Sequence, residues 1–148
     1  MGRRYIVTAL WAAIVLCASQ GAHAIPIAMS LTEGVWRNPK DTVHVAIRAC
    51  GVGECGHVVW ASEGAIADAR KGGTENLIGL QLFRNFVRQD DGAWRGKVFV
   101  PDLNITLTGT AEPIDANTLR ASGCVLAHIL CKSQIWTRIE TPAGEPPA

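Results

Sequence analysis

The chain has 148 residues, the length of a single domain, with 48% hydrophobic and 18% charged side chains. Fourteen basic residues stand against 13 acidic ones, a formal charge of +1. That balance gives no electrostatic reason to expect nucleic acid or an anionic membrane surface as a partner.

The N-terminus opens on Arg3 and Arg4, and an uncharged, mostly apolar run follows from Ile6 to Ala18. Ala22-His23-Ala24 then offers small residues in an A-x-A arrangement. A basic start, a short apolar run and such a site predict a secretory signal peptide over residues 1–24. The run is shorter than the roughly 20 apolar residues that a membrane span needs. Leu16 before Cys17 is bulky where lipoprotein processing wants a small residue. Cleavage after Ala24 takes the 14 basic residues to 12 against 13 acidic ones, a formal charge of −1. The expected location is the periplasm or the exterior, with no further segment apolar enough to span a membrane.

From Val43 onward the apolar pattern has period two, the mark of half-buried strands. Val43, Val45, Ile47 and Ala49 alternate with His44, Ala46 and Arg48. Gly51-Val52-Gly53-Glu54 reads as a turn, and Cys55 to Ala61 as the returning strand. Ser62 is a good N-cap for one short helix or loop insertion around residues 63–71, which Gly72-Gly73 stops. Leu77 to Phe83 is a further apolar run, and Gln89-Asp90-Asp91-Gly92 a turn. Trp94, Gly96, Val98 and Val100 share one face. Pro101-Asp102 breaks the chain, Ile105, Leu107 and Gly109 resume the alternation, and Glu112 to Asn117 turns again. Leu119 and Ala121 continue the pattern, and Ile135, Thr137 and Ile139 share a face of the last strand, from about Lys132. With a short strand at Val35–Arg37 this makes about eight strands. The expected fold is all-β, an antiparallel meander closed into a small barrel, because closure removes the edges that invite aggregation. Residues 25–139 form the single domain, and the proline-containing segment 140–148 is expected to be a disordered tail.

Four cysteines follow the leader: Cys50, Cys55, Cys124 and Cys131. An even count in a small exported domain predicts disulfides. Of the three possible pairings, Cys50–Cys55 and Cys124–Cys131 are favoured, since each pair flanks a short loop between strand-like runs. Zinc is the rival, but C-x4-C and C-x6-C are poor zinc spacings.

Sites for chemistry are sparse. Gly51-Val52-Gly53-Glu54-Cys55-Gly56 matches G-x-G-x-x-G, but a strand follows where a dinucleotide site needs a helix. His44, His57 and His128 lack metal-ligand spacing. No nucleophile elbow, H-E-x-x-H or phosphate loop is present. The chain is therefore not read as an enzyme, and no catalytic residue, metal or cofactor is assigned. Gly34-Val35-Trp36 and Trp136-Thr137-Arg138 say more. In a closed barrel the first and last strands are neighbours, so Arg138 is expected over the Trp36 ring as a closing pair.

Taken in order, Gly34-x-Trp36, Cys50-Gly51-x-x-x-Cys55-Gly56-His57-Val58-Val59-Trp60, Leu77-Ile78-Gly79-Leu80, Trp94-Arg95-Gly96-Lys97-Val98-Phe99, Gly123-Cys124-Val125-Leu126 and Cys131-Lys132-Ser133-Gln134-x-Trp136-Thr137-Arg138 resemble the bacterial domain-of-unknown-function 2147 family of exported proteins. The resemblance covers Thr32 to Ile139. It implies a lipocalin-like β-barrel, and neither an established activity nor catalytic residues to carry over. The stretch Phe99 to Leu107 departs from the family, many of whose members carry tyrosines there.

Two functions from different classes follow. The leading expectation is a binding module for one small apolar or amphipathic ligand in the periplasm, with Trp60, Trp94, Val98 and Leu80 lining its pocket. The alternative is a protein-interaction module, such as an envelope-stress factor or inhibitor, with a filled barrel and no ligand. An open apolar cavity favours the first, and a filled barrel with an exposed apolar patch favours the second.

Overall fold

A computed structural model describes residues 33–125 and 130–139 of the protein. The segments expected to be a leader and a tail, and His128, lie outside the described residues. The alternating segments form eight strands and one helix: β1 (Gly34–Arg37), β2 (Val43–Cys50), β3 (Gly53–Ala61), α1 (Glu63–Lys71), β4 (Gln81–Arg88), β5 (Trp94–Val100), β6 (Ile105–Asp115), β7 (Thr118–Val125) and β8 (Leu130–Ile139). Each strand pairs antiparallel with the next, and β1 pairs with β8, so the sheet is a closed barrel in sequence order. The expected meander barrel is therefore the observed fold. No helix among the described residues is long and apolar enough to cross a membrane.

Because neighbours run antiparallel, the β2–β3, β4–β5 and β6–β7 hairpins all turn at one end of the barrel, called here the hairpin end. The Ser62–Leu80 connection that carries α1 lies at the other. Ser62 caps α1 by accepting from the Ala65 N–H at 3.2 Å. Glu63 in its first turn and Arg70 and Lys71 in its last suit the helix dipole. Ala69 is buried, and Ala65 and Ile66 pack against the common core. That core holds Trp36, Val45, Val58, Phe86, Trp94, Leu119 and Trp136. Phe83 joins two of its rings edge-on, with centroids 5.7 Å from Phe86 and 5.6 Å from Trp136.

Three boundaries differ from the sequence reading. The apolar run at Leu77 does not start a strand. Gly79 has φ +82°, its N–H donates to the Val58 carbonyl, and the chain turns there while Leu77 is buried. β4 starts only at Gln81. The turn expected from Glu112 is mostly strand: β6 runs to Asp115, and Pro113 is accommodated beside a register shift, where the missing N–H is tolerated. The first hairpin is also tighter than expected. β3 begins at Gly53, so Glu54 belongs to the strand and faces inward.

Candidate functional site

The two cysteine pairs sit at opposite ends of the barrel. Cys50 and Cys55 flank the β2–β3 turn at the hairpin end, bonded sulfur to sulfur with Cα atoms 5.7 Å apart. Cys124 and Cys131 are register partners on β7 and β8 toward the other end, with Cα atoms 4.0 Å apart.

Trp36 and Arg138 are register partners on β1 and β8. Trp36 is fully buried, and the Arg138 guanidinium carbon lies 4.4 Å from its ring centroid. Arg138 Nε donates to the Ala116 carbonyl at 2.8 Å, and Nη1 donates to the Glu33 carbonyl. Gly34 explains the glycine two residues before the tryptophan. Its φ is +132°, and a Cβ there would strike Arg138 Nη1. Glycine opens the path by which the guanidinium reaches the indole.

The barrel interior is nearly filled. A cavity of about 30 Å3 remains, walled by Ile47, Glu54, Phe86, Trp94, Val98 and Leu119 among others. A water molecule needs roughly 10–15 Å3, so this space takes about two water-sized groups. Two of the residues around it carry buried polar atoms. Glu54 is buried at 4% exposure. The Trp94 Nε1–H is also buried and meets no acceptor among the described residues. Both residues start strands at the hairpin end, Glu54 beside Cys55 on β3 and Trp94 at the head of β5.

Of the four residues expected along a pocket, Trp94 and Val98 line this cavity. Leu80 packs partly buried against the core, outside the cavity wall. Trp60 stands on the outside, 45% exposed, with its ring 4.4 Å from that of His44. The reason is a bulge. His44 pairs with Trp60 but Val45 pairs with Val58, so Val59 is an extra residue on β3. Simple alternation from the buried Val58 puts Trp60 inside, and the extra residue turns it out. Glu54 obeys the same alternation, two residues before Gly56 and four before Val58 in the inward phase, but the sequence reading put it in the turn. His57 is exposed on the outer side of β3. His44 Nε2 lies 2.7 Å from Asp41 Oδ1 in the β1–β2 turn. No group of three His, Cys, Asp or Glu side chains among the described residues has the geometry to hold a metal ion.

No curated protein and no solved structure matches the chain. One family model matches it, over residues 34–138, from the glycine of Gly34-x-Trp36 to the arginine that stacks on that tryptophan. The chain belongs to that family, described as "Uncharacterized protein conserved in bacteria (DUF2147)".

Proposed function

We propose that the protein is an exported binding module whose barrel takes up a small amphipathic molecule. The observation that carries this reading is the apolar cavity inside the barrel, walled in part by Trp94 and by the buried Glu54 side chain. Ligand sites combine apolar walls with a few placed polar groups, and a barrel of eight strands has an interior just wide enough for one small ligand. The volume sets a limit: a molecule of a few heavy atoms fits, and cargo of fatty-acid length does not. Disulfides at both ends and the leader-like N-terminus support an oxidising compartment outside the cytosol.

The test is native mass spectrometry of protein purified from its own periplasm, with Trp94 fluorescence as a second readout. A retained small molecule, or a saturable change that Trp94→Phe abolishes, is expected. A bare protein with no spectral response to small apolar or polar probes would overturn the reading.

The protein-interaction reading has its own support. Val59, Trp60 and Ile78 are 39%, 45% and 50% exposed. They lie close together, because the turn carrying Ile78 bonds to Val58. A bare barrel with intact Trp94 chemistry would favour this outer face.

A further inference from the structure

We infer that the barrel takes up an extended, acidic peptide segment as an added strand along the open edge of β8, a reading independent of the cavity. β7 meets β8 from Leu130 to Thr137, whereas among the described residues β1 meets it only at Thr137, Arg138 and Ile139. The reason lies in Pro39. The register that sets Val35 opposite Ile139 and Arg37 opposite Thr137 would bring Pro39 opposite Ile135. Proline has no N–H to donate there. The chain turns instead, with the Asn38 N–H bonded to the Val43 carbonyl.

The register also identifies the main-chain groups on that edge. Cys124 and Cys131 are partners with Cα atoms 4.0 Å apart, the close spacing of a pair that exchanges no main-chain hydrogen bonds. Ser122 and Ser133 share that phase, and their hydroxyls meet at 3.2 Å. In the opposite phase, the Arg138 N–H bonds to the Asn117 carbonyl on the β7 side. The N–H and C=O of Ser133 and of Ile135 therefore face away from β7, along the open edge. Both faces of the strand are exposed here, with Ser133 and Ile135 on one and Lys132 and Gln134 on the other, in the phase of the buried Trp136.

An extended peptide bonds to such an edge through its main chain, and side chains then select it. Lys132 sets the selection. It is exposed and forms no ion pair among the described residues. Lys40 adds a second exposed cation in the β1–β2 turn, where the Asp41 carboxylate is already held by His44 and Arg37. A lysine on an open edge also works against pairing with a second copy, which brings the same charge. A strand carrying a carboxylate gains where that copy loses.

The experiment uses the full exported protein, 15N-labelled, and follows the Ser133 and Ile135 amides. The probe is a short capped peptide of alternating threonine and valine with one central glutamate. Two controls are the same peptide with lysine for glutamate, and the glutamate peptide N-methylated at alternate residues. The glutamate peptide should shift both amides saturably and slow their exchange at least about tenfold. The N-methylated peptide should not bind, because its donors are gone. The lysine peptide should bind about threefold or more weakly, the size of one exposed ion pair, and Lys132→Glu should reverse that preference. Lys132 is exposed, so this variant is expected to fold, and the peptide comparison in the wild type decides if it does not. Amides that no peptide moves at millimolar concentration, or an N-methylated peptide that binds equally well, overturn the added strand. So do amides already protected in the free monomer. Protection that grows with protein concentration alone gives the edge to a second copy and refutes the peptide. Equal binding of the glutamate and lysine peptides refutes the acidic assignment.

Discussion

Asp41 sits in the β1–β2 turn with φ +50°, a left-handed position that aspartate tolerates better than most residues. Its carboxylate takes a hydrogen bond from His44 Nε2 at 2.7 Å, and Arg37 Nη1 lies 3.4 Å from its other oxygen. The His44 bond holds the carboxyl below its ordinary value of 3.8; desolvation opposes it, and the Arg37 charge adds a smaller lowering contribution. A folded-state pKa that is depressed adds stability above the unfolded value, and that stability is lost as pH falls through the folded value. The turn should therefore loosen only in acid, below the ordinary aspartate range. His44→Phe keeps a ring against Trp60 and removes the bond. Carboxylate NMR should then show the Asp41 pKa rising toward 3.8. An unmoved titration would assign the depression to Arg37 instead. At this scale the candidate site was half legible. Trp94 was marked by its inward phase and its size. Glu54 was obscured because Gly51-Val52-Gly53-Glu54 is so turn-rich in composition that the strand behind it was cut short. Trp60 was misplaced because a bulge leaves no residue-level mark in Val58-Val59-Trp60, where all three side chains are apolar.

The strands themselves show how the barrel accommodates large rings. Gly56, Gly96, Gly109 and Gly123 all lie in the inward phase, and bulky neighbours cover them: Phe83 over Gly56, Phe86 over Gly96, Val98 over Gly109 and Leu107 over Gly123. Absent side chains on one strand make room for large ones on the next, so aromatic and small positions alternate around the interior. Gly96 is the tightest of these for a test, because an added Cβ would lie 2.7 Å from the Arg84 carbonyl oxygen as well as against the Phe86 ring. A backbone oxygen cannot swing away as a side chain can. Gly96→Ala should cost about 1–3 kcal/mol as an overpacking change, read from the urea midpoint with an unchanged slope. A neutral result would mean that β4 shifts freely past β5. The strand count, the helix over Glu63–Lys71 and the hairpin order were legible, since period-two patterning and turn residues are local signals. The end of β6 was not, because Pro113 reads as a breaker until a register shift beside it supplies a place for it. The apolar run at Leu77 misled for a related reason: burial at the mouth of a barrel is as apolar as a strand, and only Gly79 hints at the turn.

Closure is a property of the whole molecule, and it rests on few bonds. Among the described residues β1 meets β8 through three register pairs, Val35 with Ile139, Trp36 with Arg138 and Arg37 with Thr137, whereas β7 and β8 share eight. A seam this short gains from side chains that span it. Arg138 bonds to Glu33 before β1 and to Ala116 in the β6–β7 hairpin, and covers the ring of Trp36. It thus links the first strand, the last strand and a third hairpin at one end of the barrel. We predict that Arg138→Ala destabilises the protein by roughly 1–2 kcal/mol through lost stacking, with a further cost from the carbonyls it leaves. Arg138→Lys should recover only part, because an ammonium lacks the planar fork that reaches two carbonyls and a ring together. Trp36→Ala should cost more, about 3–5 kcal/mol, since it also opens a cavity beneath the seam. The double variant should lose less than the sum, with a coupling of about 0.5–2 kcal/mol. Hydrogen exchange separates a local from a closing role. If the pair closes the barrel, amides of β1 and of β8 from Thr137 onward lose protection together in either single variant, while β5, β6 and β7 keep theirs. Strict additivity of the two substitutions, with exchange raised only beside the mutated residue, would show that the seam holds without them.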